Sequence, residues 1–505
     1  MSTKFLYGAS VQGIQGFIFQ TNALREIAGA SELVEQICTS RFAQALGKNI
    51  TDLSEDRKAM VTAAGNIKYV FENEDDCKKL VREFPKVVME FAPGITLSQA
   101  VIRIDDREVS PTDVNELEKR LRTQRNNPYN PIGLGLMAIN RSRKSGLPTI
   151  RIDNEINKGK SHIDESLNAK KGNMINRICK AFFGDQFQLK KLPFEMEDIT
   201  KSKGANYSWL AIIHADGNDM GAMIHKIAQE SGTTLNYQNI FRDFSLALDK
   251  STKEAAYAAY AEIAEKYKLD TSEKYAFRPV VIGGDDLTVI CRADLAVDFT
   301  QLFLIKFEEK TVDNFKGLQI KALQNGLTAC AGIAFIKDTY PFHYGYHLAE
   351  ELCGHAKKEA KGKMQNNGLK PSCLMFHKVL DSFVESYPEI IKRELTASGI
   401  RLDFGPYYIH GTDTNKIDTL DTLNIFINEF DKNDGNAVKS NLRQWLSDLY
   451  KDKEQSEQKM ERLISIGKKE RIQGLKLASN KGIIANSKSP VFDWLTLISI
   501  KEGGN

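Results

Sequence analysis

The seven cysteines of this 505-residue chain (Cys38, Cys77, Cys179, Cys291, Cys330, Cys353 and Cys373) never fall into a C-x-x-C pair. That argues against a zinc knuckle or ribbon. A disulfide framework belongs to short secreted chains, so thiols in a chain of this length fit a reducing cytosol. Surplus charge is missing too. Sixty-nine Lys and Arg against 66 Asp and Glu leave +3, which gives no global electrostatic case for nucleic acid while leaving room for a local basic groove. No uncharged apolar run approaches the roughly 18 residues a membrane span needs. The opening "MSTKFLYGASVQGIQGFIF" lacks the basic flank and continuous apolar core of a signal peptide. No histidine is followed by aspartate, which excludes an HD-type phosphohydrolase site. His343 and His347 share a helical face but have no H-E-x-x-H spacing, and His214, His225 and His355 belong to no ligand-spaced set.

The length allows two to four domains. "KFLYGAS" reads as a strand, followed from about Val11 by a helix with a break between Thr21 and Gly29. "MVTAAGNIKYVFEN" reads as strand, glycine turn, strand. "DDCKKLVREFPKVVMEFA" is helical in pattern, with Pro85 as a disruption. "LSQAVIRID" returns to strand. "DVNELEKRLRTQR" is a charged helix, "NNPYNPIGLG" a turn-rich link and "NRSRKSGLPTIRID" a basic loop. These basic residues suit either an ordinary solvated surface or a phosphate-facing patch. An insertion over 151–200 holds a helix near "MINRICKAFF". From Asn206 the order is strand, two helices, hairpin, helix, strand, helix, strand, which predicts an antiparallel-rich sheet with helices packed on it. The C-terminal part offers helices at "TLDTLNIFINEF", "AVKSNLRQWLSDLYK" and "EQSEQKMERLISIG". The resulting division is 1–105, 106–205, 206–400 and 401–505.

The chemistry concentrates in "PVVIGGDDLTVIC", Pro279 to Cys291. Gly283 and Gly284 form a tight turn between two apolar strands, with Asp285 and Asp286 at its tip. A charged hairpin tip and a metal-binding hairpin both account for it, and the second needs a third carboxylate. Asp216 supplies one. It ends the strand "WLAIIHAD", and a strand end can lie beside a neighbouring hairpin tip. Three hard oxygen donors suit Mg²⁺ or Mn²⁺. The glycine turn Gly217 to Gly221 at a helix start can cradle a triphosphate on its backbone N–H groups. Asn218 and Asp219 can equally cap that helix.

This combination resembles the large polymerase-like subunit of type III CRISPR effector complexes, whose palm is related to GGDEF cyclases. "ADGNDMG" is similar to its first metal motif and "GGDD" to its second, with "AGIAF" and "HAKKEAK" following in the family's order. "SVQGIQGFIFQTNALREIAGASELVEQI" is similar to the family's first palm. There Gly65 and Asn66 stand where GGDD would lie, so the repeat is degenerate and its copy is expected to line the nucleotide pocket. The resemblance implies an α+β fold with two ferredoxin-like, nucleotidyl cyclase-like palms, helical insertions and an α-helical C-terminal domain. It implies ATP as substrate, Asp216 and Asp285 as principal ligands of Mg²⁺ or Mn²⁺, and Asp286 as a further ligand. Gly217, Asn218, Gly221, Gly283 and Gly284 would shape the nucleotide site, and Lys357 would hold the triphosphate, with Lys358 or Lys361 as alternatives. The implied product is a cyclic oligoadenylate messenger, made when partner subunits engage guide and target RNA. The family's HD nuclease domain and four-cysteine zinc element are not found in the sequence, so zinc is not an expected partner; with no long apolar run, neither is a membrane. A silent scaffold subunit and a stand-alone nucleotide cyclase remain the competing readings.

Overall fold

The computed structural model describes residues 3–49, 53–105, 107–127, 138–155, 159–173, 176–204, 206–231, 236–318, 320–363, 365, 368–381, 386–410, 419–431, 435–466, 484 and 487–503. Two sheets organise it. The first is four-stranded: β1 (Thr3–Gln12), β2 (Ala59–Ala63), β3 (Asn66–Phe71) and β4 (Thr96–Asp105), in the order β2-β3-β1-β4 and antiparallel throughout. Between β1 and β2 lie α1 (Ile14–Ile18), α2 (Leu24–Gln36), a π turn at Ile37–Arg41 and α3 (Phe42–Ala45). Helix α4 (Glu74–Phe91) joins β3 to β4, completing a βαββαβ ferredoxin-like unit. Helix α5 (Pro111–Arg125) then packs back on the sheet through Val114, Leu117 and Leu121. A Cβ on Gly8 of β1 would stand only 2.7 Å from the Leu117 side chain, so this glycine sets how closely the helix approaches.

The connecting region holds a hairpin, β5 (Thr149–Glu155) with β6 (Gly159–Asp164), then α6 (Glu165–Gly172), α7 (Arg177–Phe183) and α8 (Met196–Thr200). The second sheet repeats the first. Its strands β7 (Trp209–Gly217), β8 (Phe277–Gly283), β9 (Asp286–Arg292) and β10 (Ala329–Lys337) stand in the order β10-β7-β9-β8, the same 4-1-3-2 arrangement. Helices α9 (Met220–Ser231) and α10 (Tyr237–Lys266) precede the hairpin, and α11 (Ala296–Phe315) precedes β10. Helix α12 (Phe342–Ala360) occupies the place that α5 takes in the first unit. A Cβ on Gly332 would meet the Ala349 carbonyl of that helix at 2.0 Å. Strand β11 (Cys373–Lys378) extends the sheet parallel to β10. After α13 (Tyr387–Arg393) come the two-residue strands β12 (Thr396–Ala397), β13 (Ile400–Arg401) and β14 (Tyr407–Tyr408), the last closing the sheet beside β11. Helices α14 (Leu420–Asp431), α15 (Gly435–Lys451), α16 (Lys453–Ile466) and α17 (Val491–Glu502) complete the chain. The fold is α+β, as the sequence pattern and the resemblance imply. Among the described residues no helix is long and apolar enough to cross a membrane, and all seven cysteines are free and buried.

Four local expectations need correction. Strand β1 runs on to Gln12, and the helical break covers 19–23 rather than reaching Gly29. Gly29 lies inside α2, where a Cβ would stand 1.9 Å from the Lys170 carbonyl, so glycine is what lets α6 approach this closely. Pro85 does not interrupt α4. The carbonyl it leaves without a helical N–H, that of Val81, accepts instead from Gln99 Nε2 at 2.7 Å. The basic loop "NRSRKSGLPTIRID" contains β5, whose alternating Ile150 and Ile152 were obscured by flanking charge. Helix α17 was not expected at all. It is buried nearly all round, including Val491, Trp494, Leu497, Ile498 and Ile500, and so carries no amphipathic stripe to read. Residues 128–135 of the turn-rich link, Met174 and Ile175 of "MINRICKAFF" and Gly467 lie outside the described residues.

Candidate active site

Strand register brings the acidic residues together. In the pairing of β7 with β9, Ala215 faces Leu287. One step further along, Asp216 at the end of β7 reaches Asp286 at the start of β9 and Asp285 in the turn. One carboxylate oxygen from each of the three lies within 4.8 Å of the others, an arrangement able to hold a metal ion. The hairpin between β8 and β9 closes at the pair Gly283–Asp286.

The glycines here have separate reasons. Gly284 has φ +61, a left-handed conformation that glycine adopts without Cβ strain. A Cβ on Gly217 would stand 2.9 Å from the Asp285 Cβ, so glycine admits the hairpin tip against β7. Gly283 would meet only ordinary contact at 3.6 Å, and Gly221 faces open space. Asn218 is buried. Its N–H donates to the Thr328 carbonyl at 2.8 Å and its Nδ2 to Thr328 Oγ1 at 3.0 Å, which pins the turn to the approach of β10.

Of the three lysines considered, Lys357 enters the site. Its ammonium pairs with the Asp216 carboxylate and donates to the Gly217 carbonyl at 2.8 Å. Burial, the largest single influence, lowers its pKa, but the charge and hydrogen bond of Asp216, with smaller contributions from Cys353 and Cys330, together raise it. Burial, reinforced by the Asp216 charge, lifts Asp285 to about 6. Asp286 is raised well above the usual carboxylate range by burial and by the charges of Asp285 and Asp216. Carboxylates crowded this way with a single ammonium are short of positive charge. A hard divalent cation fits that donor set.

Sequence reading did not find the rest of the wall. A cavity of about 310 Å³ opens beside Asp216 and Asp286 and is lined from both units. The first unit gives Gln15, Ser31, Glu35 and Ala64, and the second gives His214, Thr288, Tyr346 and Glu350. Gln15 Nε2 donates to Glu350 Oε1 at 2.8 Å and to the Tyr346 hydroxyl at 3.2 Å. The Phe19 and Tyr346 rings lie 4.0 Å apart, and the Ser31 hydroxyl donates to the Val280 carbonyl of β8. Burial lowers the pKa of His214, whose Nδ1 lies 3.2 Å from Thr288 Oγ1. Lys370, a second cation near the turn, pairs with Asp219. Isolated polar residues on separate elements carry no spacing signal; only the degenerate first palm, expected to line the pocket, pointed toward them.

A paired-palm protein with one complete carboxylate cluster is the class that this fold and site define. Residues 209–366 match the family model described as Cas10/Cmr2, second palm domain. No curated protein matches the sequence. Among solved structures the chain is similar to the apo Csm1-Csm4 cassette, at 16% identity, covering 99% of this chain and 70% of that one, with a TM-score of 0.53. The same cassette in complex with cA4 is matched at 15% identity, 99% and 69% coverage and a TM-score of 0.51. Its complex with AMPPNP is matched at 15% identity, 99% and 70% coverage and a TM-score of 0.51. At such identities the likeness is one of fold. Residues 209–366 are a palm of the Cas10/Cmr2 second-palm type, and the solved structures show a fold shared along the chain.

Proposed function

We propose that the chain is a metal-dependent nucleotidyltransferase that joins adenylates from ATP into a cyclic oligoadenylate, or a related adenylate messenger, within an RNA-guided antiviral complex. The observation that carries this reading is the Asp216–Asp285–Asp286 cluster with Lys357, set on the wall of a cavity between two palms. The similar Csm1-Csm4 cassette has been solved with cA4 and with AMPPNP, which favours adenylates as the ligands here.

In this reading the 3′ oxygen of one nucleotide bonds to the α-phosphorus of another. The bond to the leaving pyrophosphate oxygen breaks, and the hydroxyl proton passes to solvent. Asp216 and Asp285, with Asp286, would hold Mg²⁺ or Mn²⁺, which when bound favours the alkoxide and offsets charge on pyrophosphate. Lys357 adds fixed positive charge beside Asp216. Gly217 to Gly221, with Asn218 pinned by Thr328, presents backbone N–H groups to the triphosphate. Gly283 and Gly284 allow the tip to approach. The first palm, over 1–105, supplies the facing wall for the second nucleotide, while 206–400 carries the chemistry. The 106–205 insertion and the helical 401–505 part brace them. Guide and target RNA reach the chain through other subunits, in the cytoplasm.

The test is incubation with ATP and Mn²⁺ or Mg²⁺, with and without RNA-bound partner subunits, with products read by mass spectrometry. Linked AMP units plus pyrophosphate support the reading. Silence under both conditions favours a scaffold role, and full turnover by the isolated chain favours a stand-alone cyclase.

A further inference from the structure

We infer that Thr252, with Asp249 beside it, is a positioning residue for the Gly283–Asp286 turn, and that helix α10 ties this turn to the first palm. The inference rests on the reading of the site given above.

Gly284 is the left-handed residue immediately before Asp285. Both of its backbone polar groups face the same helix. Its carbonyl accepts from Thr252 Oγ1 at 2.5 Å, and its N–H points to Asp249 Oδ1 at 3.4 Å. Thr252 is fully buried. The usual partner of a helical threonine, the carbonyl four residues earlier, belongs here to Leu248 and lies at 3.2 Å, so the single hydroxyl proton is nearer to Gly284. Asp249 is itself held by Lys253 Nζ at 2.6 Å. Rotation of the Gly284 peptide would swing Asp285 and Asp286 together. Two like charges at one tip have no tendency of their own to keep that peptide in place.

The same helix reaches the other palm. Near its start, Gln238 Nε2 donates to the Arg57 carbonyl at 3.0 Å, and the Arg242 guanidinium donates to the Ser54 carbonyl. Asn236 Nδ2 lies 3.4 Å from Glu108. Those partners sit in the segments that precede β2 and follow β4. Further along, Ala255, Ala256, Ala259 and Ile263 are buried in the second palm. The 30-residue helix is about 45 Å long and lies across both units. At the turn itself, the Ala64 methyl of the first-palm hairpin stands 3.9 Å from where a Gly284 Cβ would be. A shift of the first palm therefore reaches the carboxylate turn by two routes, through α10 and through the Ala64 tip.

The experiment compares Thr252→Val, Thr252→Ser, Asp249→Ala and the double variant Asp285→Ala/Asp286→Ala in the full chain, with RNA-bound partners added. Pyrophosphate release is followed across ATP concentration. Thr252→Val is expected to lower kcat about tenfold to a hundredfold, the scale of a slight misplacement of reacting groups. KM for ATP should stay unchanged and Thr252→Ser should recover the rate. Wild-type kcat in Thr252→Val, or equal impairment of Val and Ser, overturns the inference while loss of turnover in the double variant leaves the site reading standing. If Thr252→Val lacks a cooperative melt, Asp249→Ala decides. A lowered kcat at constant KM supports the inference, and wild-type kcat refutes it. Turnover that persists in the double variant removes the site reading and the inference together.

Discussion

Asp285 and Asp286 are half-buried carboxylates beside a third; burial and the Asp216 charge raise the proton affinity of both, and Asp285 adds to that of Asp286. Their joint replacement by alanine is expected to reduce product formation by about 10³-fold or more, on the scale of losing a principal electrostatic element. The fold should persist, and the metal-free melting temperature should rise because crowded like charges are removed. Mn²⁺ should raise the wild-type melting temperature and leave the variant's unchanged. A metal-induced shift surviving in the variant would place the ion elsewhere. A second residue-scale prediction concerns Asp493 on α17, whose pKa burial pushes up to about 7. It accepts from the Tyr407 hydroxyl at 2.7 Å and from the Phe404 N–H at 3.0 Å, both on Oδ2. A folded pKa above the unfolded one means the folded state binds more protons, so this group lowers stability as pH rises from about 4 to 7. Asp493→Asn keeps an acceptor oxygen. Its melting temperature relative to wild type should therefore be more favourable at pH 8 than at pH 4.5.

Helix α4 shows how an element survives a residue that should break it. The Val81 carbonyl freed by Pro85 is served by Gln99 on β4, whose Oε1 also accepts from Tyr7 at 3.0 Å. Gln99→Leu should cost about 1–3 kcal/mol by urea denaturation, the cost of orphaned buried polar groups. Adding Pro85→Ala should recover part of it, since residue 85 then supplies its own N–H to Val81. Additive effects would discount this pairing. Such cross-element repairs are invisible in a linear pattern, and for that reason a proline that reads as a break turned out to be tolerated. The second palm was legible because its strands are near-continuous apolar runs, two of which (β7 and β8) end in glycine-carboxylate turns, and Asp216 could be matched to the GGDD tip by strand ends alone. The choice of Lys357 over Lys358 and Lys361 rested on resemblance. Geometry now brings its Nζ to Asp216, a contact set by helix phase. The hairpin β5–β6 and the helix α17 were missed because charge masked one and uniform burial erased the period of the other.

At the scale of the molecule, α17 fastens the end of the chain to the second palm. The Tyr207 hydroxyl donates to the Ile500 carbonyl at 3.1 Å, and Lys378 Nζ donates to Ser499 at 2.8 Å. Trp494, Leu497, Ile498 and Ile500 are nearly inaccessible, each contributing roughly 1.5–3 kcal/mol on burial. Truncation after Pro490 is expected to lower the melting temperature by about 12 °C or more, given ~2–4 °C per kcal/mol for a domain of about 200 residues. An unchanged melt would show that the helix is dispensable.

The apposition of the Ala64–Gly65 tip and the Gly283–Gly284 tip has one more consequence. In an assembly of two identical chains, every substitution at such a junction appears twice, and whatever one half loses the other loses as well. Here the two halves are written separately in one polypeptide, so each side of the junction is free to drift under its own selection. One hairpin carries the acids and the other does not, a division of labour that no symmetric pair of identical chains can hold.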